Sequence, residues 1–168
     1  DGDLRQLADL SIGLEAANIT PLHGALLATV LANEGRMPEP MLLEATEGPM
    51  GLEPSSLERL PAREVIAPET VPVLARAMQA VAVYGTTAGV APPGFPVAMK
   101  TGTGAEWRLG YHANYVGVAP WPNPVVAFSV RITHEPTSSR VNRTAREVLK
   151  ALLEGLHRRR PDRGLAPR

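Results

Sequence analysis

The sequence predicts an α+β domain in which helices flank an antiparallel sheet. Three observations predict it. Strand-type runs near 97–103, 113–119 and 125–132 follow one another closely. Their connections are too short to hold a crossover helix, which makes neighbouring strands antiparallel. Helix-period apolar stripes precede and follow them.

Taken in order, Thr20 reads as an N-cap and Pro21 as a first-turn residue of a helix with Leu22, Leu26, Leu27, Val30 and Leu31 on one stripe, ended by Gly35. Residues 36–66 are rich in Pro and Gly and predict short strands or extended loops near Met41–Leu43 and Val65–Ile66. A second helix spans about Glu69–Tyr84, with Val73, Leu74, Ala77, Met78, Val81 and Ala82 inward, Pro72 in its first turn and Gly85 as its stop. The three strands follow, joined by loops holding Trp107–Tyr111 and Trp121-Pro122-Asn123. A last helix runs from about Arg140 to Leu156, with Val141, Ala145, Val148, Leu149, Leu152 and Leu153 on one face and Arg146 and Lys150 outside.

Composition bounds the function. A chain of 168 residues with 44% hydrophobic content can bury one core, and its formal net charge of zero argues against a nucleic-acid partner. The absence of cysteine excludes disulfides and thiol chemistry. No stretch approaches the roughly 20 apolar residues of a transmembrane helix. The opening Asp1-Gly2-Asp3 is unlike a signal peptide, so the start reads as internal. The four histidines (His23, His112, His134 and His157) lack short ligand spacing, so neither a metal site nor a cofactor is expected, and His112 reads as a hydrogen-bonded structural residue.

The chemistry concentrates at Lys100-Thr101-Gly102-Thr103. On a strand, Thr101 and Thr103 share one face while Lys100 and Gly102 share the other. An ammonium beside two hydroxyls suits a carboxylate, and N–H groups along a strand edge suit a developing oxyanion. A glycine inside a strand marks a place where another backbone or a ligand comes close. Lys-Thr-Gly is also one of three signature elements of penicillin-binding proteins and class A β-lactamases, beside Ser-x-x-Lys and Ser-Asp-Asn. The other two elements are missing. None of the serines at 11, 55, 56, 129, 138 and 139 is followed three places later by Lys, and no Ser-x-Asn or Gly-x-Ser-x-Gly occurs.

Further segments agree in order and spacing. They are Ser11-Ile12-Gly13, Ile19–Ala25, Leu31–Gly35, Gly85-Thr86-Thr87-Ala88, His112–Pro120 and Pro124–Ala127. With these, the chain resembles, over nearly its whole length, the C-terminal part of a penicillin-binding-protein transpeptidase domain of the serine β-lactamase/D,D-transpeptidase superfamily. Met99, Gly104 and Asn114 depart from the family's usual Gly, Ala and Trp, and none of these removes a functional group.

The resemblance implies an incomplete domain, with 1–156 as its C-terminal part. The basic run His157-Arg158-Arg159-Arg160, with Arg163 and Arg168, reads by its charge as a disordered tail at 157–168 that is solvated or touches anionic wall polymers or lipid heads. The nucleophile would lie on an upstream part of the same domain. The parent would be a membrane-anchored, extracytoplasmic acyl-serine D,D-transpeptidase that cross-links peptidoglycan stem peptides and is acylated by β-lactams. Lys100 would then attract the ligand carboxylate, Thr101 and Thr103 would hydrogen-bond it, and the Thr103 backbone N–H would form half of the oxyanion hole. Trp107 and Tyr111 either wall the substrate groove or cover the core. A β-lactamase or D,D-carboxypeptidase, and a non-catalytic scaffold or sensor, remain as alternatives that the upstream sequence separates. Without that layer, apolar surface is left uncovered, favouring self-association or docking with the upstream part.

Overall fold

The computed structural model describes residues 2–11, 13, 19–41, 45–48, 51–54, 60–106 and 108–159. Helix α1 (Gly2–Ser11) is an addition to the expected elements, and its Leu4, Leu7 and Leu10 all lie exposed. Helix α2 (Pro21–Thr29) begins as expected: the Thr20 hydroxyl accepts the His23 N–H at 3.1 Å and Pro21 occupies the first turn. Its inward face differs from the expected leucine stripe. Gly24 and Ala28 are buried, while Leu22 and Leu27 are exposed. The cause is close packing on the sheet, since a Cβ on Gly24 would stand 3.0 Å from Ser129 Oγ and 3.1 Å from Val116 Cγ1. Val30 and Leu31 are buried in the turn that follows. Gly35 closes that turn at φ +88°, where its carbonyl accepts the N–H groups of Val65 and Ile66.

Four short strands come next. β1 (Arg36–Met37) pairs antiparallel with β4 (Arg63–Glu64), and β2 (Ala45–Gly48) with β3 (Gly51–Pro54). Met41 is irregular, Leu42 and Leu43 lie outside the described residues, and Val65–Ile66 directly follow β4. A 3₁₀ turn at Pro68–Thr70 leads into α3 (Val71–Val83), with Pro72 in its first turn. Here too the stripe is rotated: Val71, Ala75 and Met78 are buried, whereas Val73, Leu74 and Ala77 are exposed.

The main sheet is antiparallel in the order β5 (Ala98–Glu106), β6 (Gly110–Ala119), β7 (Val126–Glu135), so β5 is an edge strand of this sheet. Cross-strand partners share a face. One face carries the rows Met99–Gly117–Phe128 and Thr101–Tyr115–Val130, and helix α4 (Ser138–Arg158) covers it with Val141, Ala145, Leu149 and Leu153, all fully buried. Val148 and Leu152, expected inward, are exposed, because a period of four selects one narrow stripe. The other face carries Ala98–Val118–Ala127, packed against Val71, Ala75 and Met78 of α3, then the row Lys100–Val116–Ser129, of which Val116 and Ser129 lie beneath α2 and Lys100 is exposed. Helix α4 continues past Leu156, and the His157 ring stacks obliquely on Phe95 at 5.3 Å between centroids. Residues 160–168 of the expected tail lie outside the described residues.

Candidate active site

Strand pairing sets the side chains of the motif on two faces of one edge. Lys100, Gly102 and Gly104 share a face with Val116, Asn114 and His112, while Thr101 and Thr103 share the α4 face with Tyr115 and Ala113. Lys100 is exposed, and its Nζ donates to the Thr101 carbonyl. Gly102 borders open space, since a Cβ there would meet only Asn114 O, at 4.0 Å, and one on Gly104 would meet nothing within 4 Å. No protein group among the described residues therefore needs a glycine at either position. As β5 is an edge strand, alternate backbone N–H groups along it face outward.

The two threonine hydroxyls are held by different partners. Thr101 Oγ1 lies 2.9 Å from Thr86 Oγ1, and either can donate. The turn that carries Thr86 is pinned twice: the buried Thr87 hydroxyl donates to Val81 O at 3.1 Å, and Arg146 donates to the carbonyls of Thr86 and Ala88. Arg146, expected outside α4, is thus partly buried as a clamp between that helix and the turn. Thr103 Oγ1 donates to Asn142 Oδ1 at 3.1 Å, and the Tyr115 hydroxyl reaches the same oxygen at 3.1 Å. Asn142 Nδ2 donates to Ser138 O at 2.8 Å. Burial pushes the Tyr115 phenol above its ordinary value, and the Arg146 charge partly opposes this.

Of the proposed groove walls, Trp107 lies outside the described residues. Tyr111 stands on β6 instead of in a loop, opposite Ala105, and is 36% exposed, so it does not cover the core. His112 is buried but not hydrogen-bonded as expected. Glu106 approaches its Nε2 to 3.4 Å without hydrogen-bond geometry, and the His134 ring meets it edge-on at 5.6 Å. Thr86, Tyr115, Asn142 and Arg146 were not singled out by sequence reasoning as site residues. One signal pointed to the last two, which are polar, spaced by four, and flank the apolar stripe of α4.

The family model for the penicillin binding protein transpeptidase domain matches residues 4–154. The chain belongs to this transpeptidase family. The peptidoglycan D,D-transpeptidase PbpA of Mycolicibacterium smegmatis is 32% identical over 134 residues, covering 77% of this chain and 27% of that protein. PbpA of Mycobacterium tuberculosis is 30% identical over 165 residues, covering 91% of this chain and 33% of that protein. The chain thus spans about a third or less of the curated relatives it matches. The crystal structure of M. tuberculosis PBPA superposes with a TM-score of 0.72 at 28% identity, covering 86% of this chain and 34% of that one. An imipenem acyl-enzyme complex of the same protein gives 0.63 at 28% identity, covering 84% and 33%. The antiparallel sheet with flanking helices is the transpeptidase architecture. Among the described residues no helix is long and apolar enough to cross a membrane.

Proposed function

We propose that this chain is the C-terminal third of a penicillin-binding protein and supplies the ligand-facing strand of an acyl-serine D,D-transpeptidase that cross-links peptidoglycan stem peptides. The observation that carries this reading is the Lys100–Thr103 segment on an edge strand, with its glycine facing open space and its hydroxyls held in place. In this reading the Lys100 ammonium draws the C-terminal carboxylate of a stem peptide, or the carboxylate of a β-lactam, to the strand. Thr101 donates a hydrogen bond to it. The ligand lies along β5, with its reacting carbonyl against the Thr103 backbone N–H, which stabilises the negative charge that develops when a serine attacks. One such donor contributes about 3 kcal/mol to the transition state. The serine, the lysine that takes its proton and the relay of Ser-x-Asn come from a part of the domain upstream of residue 1.

That upstream part also covers apolar side chains such as Leu22, Leu27, Val73 and Leu74, which are exposed here. The whole protein acts outside the cytoplasm, anchored to the membrane, where peptidoglycan is polymerised. Lys100→Ala in the full-length polypeptide tests the reading. Acylation by a labelled penicillin falls at least tenfold while stability barely moves, because an exposed ammonium adds little to folding but acts on the ligand charge. Rates equal within a factor of two would remove Lys100 from the site.

A further inference from the structure

We propose that Arg146 is a positioning residue for capture of the ligand carboxylate: it grips the turn that carries Thr86, and the Thr86 hydroxyl directs the proton of Thr101 toward the anion. This role rests on the ligand-binding reading of β5 given above and adds two residues that lie outside that strand.

The turn at residues 85–90 follows α3, and most of its hydrogen bonds stay within it or run back to that helix. Gly85 and Thr87 donate their N–H groups to Val81 O, the Thr87 hydroxyl donates to the same carbonyl, Ala88 N–H donates to Gly85 O, and Val90 N–H donates to Thr87 O. Among the described residues the hydrogen bonds that tie this turn to α4 come from Arg146, which donates to Thr86 O and, at 3.0 Å, to Ala88 O. The planar fork of a guanidinium spans two such carbonyls, and an ammonium has no equivalent. Asn142, one helical turn earlier on the same side of α4, holds the Thr103 hydroxyl. Helix α4 is thus the common reference for both threonines of the motif.

Such a clamp is costly if it serves folding alone. Arg146 is partly buried, and none of the ion pairs among the described residues includes it. Burying a charge without a counter-charge opposes folding, and a neutral donor would hold the turn at lower cost. The consequence lies at Thr101, whose hydroxyl has one proton. If Thr101 gives that proton to Thr86, an arriving carboxylate meets lone pairs and is repelled. If Thr86 donates instead, Thr101 gives its own proton to the anion, and the two hydrogen bonds strengthen each other. The 2.9 Å contact between the hydroxyls allows both states, and an anion selects the second only while Thr86 stays within reach. Thr86 is exposed, so packing does little to keep it there. The grip of Arg146 on its carbonyl does.

The test uses the full-length polypeptide with benzylpenicillin and its methyl ester, which lacks the carboxylate charge. Acylation rates are followed by intact-mass spectrometry, and the ratio of acid to ester measures carboxylate recognition. A loss of stability alone does not move this ratio. Thr86→Val and Arg146→Met each lower it about tenfold, as for one weakened hydrogen bond to a charged group. The double variant lowers it no further, because both residues act through Thr101. Arg146→Lys, which keeps the charge but loses the fork, falls as far as Arg146→Met and replaces it in the cycle if the methionine variant does not fold. Losses that multiply in the double variant, or an Arg146→Lys ratio within twofold of wild type, would overturn the role of Arg146. A ratio that Lys100→Ala leaves unchanged would overturn the ligand-binding reading of β5 itself.

Discussion

Gly102→Ala separates the two uses a strand can have for a glycine. An added Cβ would have Asn114 O as its nearest neighbour, at 4.0 Å, an ordinary contact, and Gly102 is absent from the glycines with positive φ. The fold therefore gains from the substitution: replacing glycine by alanine in a strand interior is worth about 0.5–1 kcal/mol, because the unfolded chain loses freedom. For a domain of this size or larger that raises Tm by roughly 1–4 °C. The same methyl stands on the Lys100 face of β5, where the proposed ligand lies along the strand, and there it costs binding. Thermal unfolding and penicillin acylation of the full-length protein should move in opposite directions, with Tm up and acylation down about tenfold or more. A loss of stability above about 1 kcal/mol would show that a protein group packs on Gly102. Unchanged acylation would show that no ligand does.

Gly117→Ala is the opposite case, since its Cβ would sit 2.5 Å from Ala98 O, 2.7 Å from Met99 Cβ and 2.8 Å from Phe128 Cζ. A backbone carbonyl cannot step aside without moving β5, so urea unfolding should show a loss of at least about 1–3 kcal/mol, with slower acylation because Lys100 follows directly; a change within about 0.5 kcal/mol would contradict the packing described. The raised pKa of Tyr115 gives a pH dependence. Below about pH 10 the phenol is neutral in both states and its contribution is fully present; as pH rises through and above that value the unfolded chain ionises first and stability is lost. Tyr115→Phe should lose less of its urea midpoint between pH 8 and pH 11 than the wild type, and equal losses would refute the assignment.

The strands were legible because period-two alternation and short connections act locally, and β5, β6 and β7 fall within a few residues of where they were expected. The helices were legible as helices but not in their facing. Helix α2 is apolar nearly all round, so its sequence does not say which side meets the sheet; the decision lies with Ser129 and Val116, which crowd Gly24, and with the cluster of Ala98 and Val118 that buries Ala28. In α3 and α4, likewise, Leu74, Val148 and Leu152 look like core residues until the width of the contact is known. Part of the candidate site was local: Lys100 to Thr103 announced themselves as a motif on a strand. Their supports did not. Asn142 meets Thr103 across 39 positions and Arg146 meets Thr86 across 60, and no sequence period links them. His112 read as hydrogen-bonded because polar burial without a partner is rare, and this residue is an exception among the described residues.

In the proposed function, residues 1–168 serve a nucleophile they do not contain. Incubating the full-length polypeptide with a β-lactam, digesting it and locating the adduct by mass spectrometry tests this most directly. The adduct is expected on a serine in a Ser-x-x-Lys segment outside residues 1–168. An adduct on any of Ser11, Ser55, Ser56, Ser129, Ser138 or Ser139 would contradict it.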